Sequence, residues 1–130
     1  MAYSRRNTEA IRDYLSSADR VVEVGIGRRT DLASVLAKSG VSVTATDVHD
    51  RSVPDAVTFV RDDIVEPEMG VYEGADAVVA QNLPPELHRP TLAVARAVDA
   101  TFVFTTLGGD QPTVPVERKT IPGGTLFVAD

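Results

Sequence analysis

Residues 21–27, Val-Val-Glu-Val-Gly-Ile-Gly, constrain this chain more than any other stretch. The apolar, β-branched run reads as a short buried strand that ends in two glycines spaced two residues apart. A helical apolar pattern resumes near Thr30, so the segment reads as strand–turn–helix. Glycines at such a turn let the backbone bend tightly and approach a ligand with no side chain in the way.

The same alternation runs through the rest of the chain. Residues 3–17 read as an opening helix whose stripe is Ile11 and Leu15, with Tyr14 beside them. Strand one covers 20–25; Thr30 then reads as the N-cap of a helix with Leu32, Val35 and Leu36 on its apolar face, stopping at Ser39-Gly40. Strands follow at 41–47, 57–61, 75–80 and 101–105, with a proline-started helix over 85–98 that Pro90 shortens or kinks. Residues 66–74, broken by Pro and Gly, make a short crossover, and two β-like pieces around Pro122-Gly123-Gly124 read as a terminal hairpin. Strands alternating with helices imply a mostly parallel sheet with right-handed crossovers. The expected fold is therefore α/β: one Rossmann-like, mostly parallel sheet with helices on both faces and a C-terminal β-hairpin, as a single domain over residues 1–130. Ligands of such sheets sit at the carboxyl ends of the strands, which brings together the loops 25–31, 47–52, 61–66 and 80–86.

Composition narrows the chemistry. There is no cysteine, which excludes disulfides and thiolate catalysis. His49 and His88 lie too far apart for a ligand pair, so no metal is expected. No apolar run approaches the roughly 20 residues that span a bilayer, and the N-terminus lacks a signal core, so a cytoplasmic location and no membrane partner are expected. The net charge is −6, with Lys38 and Lys119 the only lysines among 13 basic residues. That acidic, Lys-poor balance matches a halophilic source and offers no evident nucleic-acid surface.

The candidate site gathers at the strand ends. Glu23 stands two residues before Gly25, and a carboxylate there favours a cationic or hydroxyl-rich ligand over a pyrophosphate. This points to S-adenosylmethionine (SAM) and away from NAD. Tested against G-x-G-x-x-G, position 30 is Thr; tested against acid-x-G-x-G-x-G, position 29 is Arg. Arg28 is placed to pair with a ligand carboxylate or with Glu23 itself. Asp47 ends strand two, 20 residues after Gly27, where an acid accepts hydrogen bonds from both ribose hydroxyls. Asp63 ends strand three and suits the exocyclic amine of adenine, with Val48 or Ile64 packed on the ring. Asn82, in Gln81-Asn82-Leu83-Pro84-Pro85-Glu86, stands where a transferase puts its acceptor-binding groups. Glu86 and His88 are the nearby general-base candidates.

These blocks, with Glu23-Val24-Gly25-Ile26-Gly27-Arg28-Arg29-Thr30-Asp31-Leu32-Ala33, Thr46-Asp47-Val48 and Pro84-Pro85-Glu86-Leu87, carry a resemblance. The chain resembles the class I SAM-dependent methyltransferase superfamily, and more closely a small uncharacterised archaeal family with that Rossmann-like fold. The resemblance implies cofactor contacts at Glu23, Gly25, Gly27, Asp47 and Asp63, and names no acceptor. Three roles are open from the residues: a small methyltransferase acting on a large partner, a non-catalytic nucleoside-binding or regulatory module, and an NAD-type dinucleotide domain.

Overall fold

The computed structural model describes residues 2–130. Seven strands, β1 (Arg20–Val24), β2 (Ser42–Asp47), β3 (Thr58–Arg61), β4 (Ala77–Ala80), β5 (Thr101–Phe104), β6 (Glu117–Ile121) and β7 (Gly124–Ala129), form one sheet. Their order is β3-β2-β1-β4-β5-β7-β6. The first five run parallel, β7 joins β5 antiparallel, and β6 pairs with β7 across the Pro122-Gly123 turn. This is the expected α/β architecture, terminal hairpin included.

The period-two pattern of the strands divides the core between two faces. Val21, Val43, Val79, Val103 and Leu126 face α1 (Ala2–Tyr14) and α2 (Asp31–Lys38), where they meet Ile11, Leu15, Leu32 and Leu36. Val22, Val24, Val78, Phe102 and Phe104 face α3 (His88–Ala97), where Leu92 and Ala95 cover them. Phe102 and Phe104, two apart and so on one face, stack at 4.5 Å between ring centroids. A central strand buried on both sides has no polar face to show, which is why β1 and β4 read as apolar runs apart from Arg20 at the edge and Glu23.

Element ends follow local hydrogen bonding. α2 closes as expected at Ser39-Gly40: the Val41 N–H reaches back to Leu36 and the Gly40 N–H to Ala37, a Schellman pairing. The Thr30 hydroxyl makes no capping bond, contrary to its predicted role; its carbonyl instead accepts the Ser34 N–H at 2.9 Å. α1 stops at Tyr14, not residue 17, because Ser16 turns back onto Asp13 through both its N–H and its hydroxyl. β4 begins at Ala77, after Asp76 has accepted the N–H groups of Asp19 and Arg20. Residues 85–98 split into a 3₁₀ turn, Pro85–Leu87, and α3. Pro90 falls in the first turn of α3, where its missing N–H costs nothing. Between β3 and β4 a 3₁₀ turn, Met69–Val71, supplies the short crossover.

That crossover matters to the strand-end loops. Tyr72 is fully buried, and its hydroxyl donates to Asp62 Oδ2 at 2.6 Å, while Asp62 Oδ1 accepts the Glu68 N–H. The pair pins the loop after β3. Tyr72→Phe is expected to cost about 1–3 kcal/mol in denaturant unfolding, through loss of a charge-assisted bond to a half-buried carboxylate.

Candidate functional site

The carboxyl ends of β1–β5 share one edge of the sheet. From β1 the chain winds outward through β2 and β3, then returns to lay β4 on the other side of β1. Loops leaving β1 and β4 therefore diverge, and a crevice opens between them. Gly25 and Gly27 line it with φ of 68° and 58°, a backbone region that side-chain residues adopt only at a cost. A Cβ on either would meet no heavy atom within 4 Å. Backbone conformation demands glycine here, and the outer face of the turn is open.

The turn is tied to the end of β2. Gly25 and Ile26 donate their N–H groups to the Thr46 carbonyl at 2.9 and 3.0 Å, and the Gly27 N–H donates to Asp47 Oδ2 at 2.8 Å. Asp47 Oδ1 accepts the His49 N–H at 3.0 Å and lies 3.5 Å from Arg51 Nε. Burial alone would raise the Asp47 pKa; the His49 and Gly27 bonds and Arg51 outweigh it and hold the carboxyl below its ordinary value. Asp47 thus organises the glycine turn, a duty its spacing did not reveal.

Glu23 is 1 % exposed. It is paired in register with Val79 of β4, on the α1–α2 face. Gln81, two residues beyond Val79 and so on the same face, donates Nε2 to Glu23 Oε2 at 3.1 Å; Oε1 has no partner among the described residues. Burial pushes the carboxyl pKa up to about 7, against the pull of Gln81 and the field of Arg29. The expected Arg28–Glu23 pairing is not formed. Arg28 points to solvent without a hydrogen bond or ion pair among the described residues, and the next arginine carries the charge that acts on Glu23.

Beside this, Val48, Arg61, Asp62 and Asp63 line an open groove of about 450 Å³. Val48 is 49 % exposed, and Asp63 is exposed with Oδ1 accepting the Val65 N–H. Ile64 does not reach the groove; it is buried in the core on the α3 face. Of the two acids, Asp62 is occupied by Tyr72 and Glu68, which leaves Asp63 as the one facing outward.

On the other side of the crevice a pocket of about 220 Å³ is lined by Asn7, Arg29, Gln81, Asn82, Thr105 and neighbours, including Gly123 and Gly124 of the hairpin turn. Asn82 sits in it with φ 52° and donates its N–H to Thr105 Oγ1. Leu83 interrupts the Asn–Pro–Pro order because its side chain is core, 3 % exposed. His88 is no general base. It is fully buried, its Nε2 donates to the Leu83 carbonyl at 2.9 Å and its Nδ1 accepts the Thr113 N–H at 3.2 Å, which fixes the tautomer and uses both nitrogens. Glu86 is exposed and lies outside the pocket lining, and His49 is solvent-facing.

A family model described as "Uncharacterised protein family (UPF0146)" matches residues 8–130. A UPF0146 protein of Halobacterium salinarum is 55% identical over 116 residues, 88% of this chain and 90% of that protein. One from Archaeoglobus fulgidus is 42% identical over 102 residues, 77% of this chain and 78% of the other. Among solved structures, magnesium protoporphyrin IX methyltransferase from Synechocystis PCC 6803, with SAM bound, superposes at TM-score 0.68. It is 12% identical and covers 98% of this chain and 78% of its own. At that identity the likeness establishes the fold.

The buried carboxylate gives a signed prediction. Glu23 has a pKa of about 7 folded, against 4.5 as its ordinary value, so the native state holds more protons between those values. Its contribution to stability is therefore present below about pH 4.5 and lost as pH rises to about 7, on the order of 3 kcal/mol in all. Glu23→Gln should remove that part of the slope, so its stability relative to wild type is higher at pH 8 than at pH 5. Denaturant unfolding at the two pH values measures it.

Proposed function

The chain belongs to the UPF0146 family, and we propose that it binds SAM along the carboxyl edge of its sheet and acts as a small methyltransferase. The observation that carries this reading is Glu23: a buried carboxylate beside an open glycine turn, bonded to an amide and not neutralised by an ion pair. A second negative group such as a pyrophosphate would face an adverse field there, whereas a sulfonium is attracted, the more so in a site of low dielectric. In this reading the adenine lies in the groove between Val48 and Asp63. Ribose hydroxyls reach Asp47, which has accepted two backbone bonds and keeps roughly two of a carboxylate's roughly four lone-pair sites. The backbone of Gly25–Gly27 borders the sulfonium end, Arg28 is left to meet the cofactor's carboxylate, and Gln81 and Asn82 lie at the pocket beyond. That the neighbouring magnesium protoporphyrin IX methyltransferase is crystallised with SAM supports the assignment.

Methyl transfer to such an arrangement needs alignment and exclusion of water more than covalent help from the protein. The rival reading is a non-catalytic nucleoside-binding module. It is favoured by one observation: no side chain among the described pocket residues is placed to take a proton, with His88 committed to two backbone bonds.

Titration calorimetry with SAM and S-adenosylhomocysteine tests binding; the absence of heat with both, on folded protein, rejects it. SAM affinity should rise by up to roughly tenfold from pH 6 to pH 8 as Glu23 ionises, and the rise should vanish in Glu23→Gln. Affinity for the thioether product, which lacks the sulfonium charge, should change less. NAD affinity should hold or increase in the same variant.

A further inference from the structure

We infer that the pocket at the ends of β4 and β5 is the acceptor site, and that its acceptor is a small molecule bearing an oxyanion. The inference rests on the SAM-binding reading for the reaction, but not for the anion site itself. Size argues first. About 220 Å³ is room for roughly seven waters at ~30 Å³ each, below the ~300–1,000 Å³ of pockets that enclose drug-sized ligands. Its walls belong to separate elements: the ends of β4 and β5, Asn7 of α1, and the β6–β7 turn, with Asn7 Nδ2 bonded to the Pro122 carbonyl at 3.3 Å. A concavity walled in this way admits a small solute and not a broad macromolecular surface.

Chemistry argues next. The Arg29 guanidinium lines the pocket and makes no hydrogen bond or ion pair among the described residues. Its five N–H donors form a planar fork that fits a carboxylate or phosphate. Among the described residues no acidic side chain lines the pocket; Glu23 is enclosed, with Gln81 between the two regions as both its hydrogen-bond partner and a lining residue. Because Gln81 spends Nε2 on Glu23, its Oε1 is free to accept from an N–H or O–H of the ligand, as is the Asn82 side chain. The same Arg29 repels a lysine or arginine side chain entering from a protein substrate. The set therefore fits a small amino or hydroxy compound with a carboxylate or phosphate group. In the transfer, a lone pair of that nitrogen or oxygen bonds to the methyl carbon. The carbon–sulfur bond breaks with its electron pair returning to sulfur as a thioether, and the acceptor's proton passes to solvent.

Inorganic phosphate is the probe. Titrated at constant ionic strength into isotopically labelled protein, it should give saturable NMR shifts at Arg29, Asn82 and Thr105. Arg29→Gln should weaken the apparent affinity about tenfold or more, while Arg89→Gln, altering an exposed arginine of α3 outside the pocket lining, should leave it unchanged. Both arginines are exposed, so folding is not at stake. The shifts should persist with S-adenosylhomocysteine bound. Unsaturable shifts, or equal affinity in Arg29→Gln, would overturn the inference. So would displacement of phosphate by S-adenosylhomocysteine but not by 5′-methylthioadenosine, since Arg29 would then serve the cofactor's own amino-acid tail. Calorimetry with S-adenosylhomocysteine alone reports separately on the SAM reading, so either can fail without the other.

Discussion

The placement of β1 between β2 and β4 sets everything else. Parallel pairing on both sides fixes Glu23 opposite Ala45 and Val79, and leaves the glycine turn free only beyond Val24. Because the chain departs from β1 toward β2 and returns to it through β4, backbone cannot fill the space above that junction. The crevice is thus a product of strand order before any side chain is considered. Side chains then decide its character: Asp47 locks the glycine turn to the neighbouring strand, and Gln81 meets Glu23 across the junction.

Much of this was legible in the chain. β-branched runs, the Ser39-Gly40 stop and the Pro-Gly pair at the hairpin are local signals, and they placed every strand to within a few residues. The glycine turn and Asp47 could be found because their spacing is a property of one strand–helix–strand unit. What escaped was set by contacts between distant segments. Gln81 looks like an ordinary loop residue until β4 is aligned with β1; then its position two residues past the partner of Glu23 puts it on the same face. Choosing between Arg28 and Arg29 requires the rotation of the turn, which no period encodes. His88 looked reactive because composition says nothing about whether both ring nitrogens are already spent on Leu83 and Thr113. Thr30 carried the right chemistry for a cap, but its conformation, φ −100° and ψ 7°, is not that of a capping residue.

The two sides of the crevice differ in character. Toward β2 and β3 the groove is shallow, with an exposed valine beside an exposed acid. Toward β5 and the hairpin the walls are amides, hydroxyls and a guanidinium. Glu23 lies between them, enclosed, so that when ionised it acts through a field more than through contact.

The rims of the sheet carry a further consequence. On one side the outermost strand, β3, is four residues long; on the other, β6 exposes Glu117 and Arg118 and holds Lys119 half-buried beside the Tyr14 ring. Short length and mixed charge both discourage a neighbouring molecule from adding its own strand. Crowding in the cell therefore meets a sheet that ends where it ends, and encounters between copies are steered away from open-ended stacking.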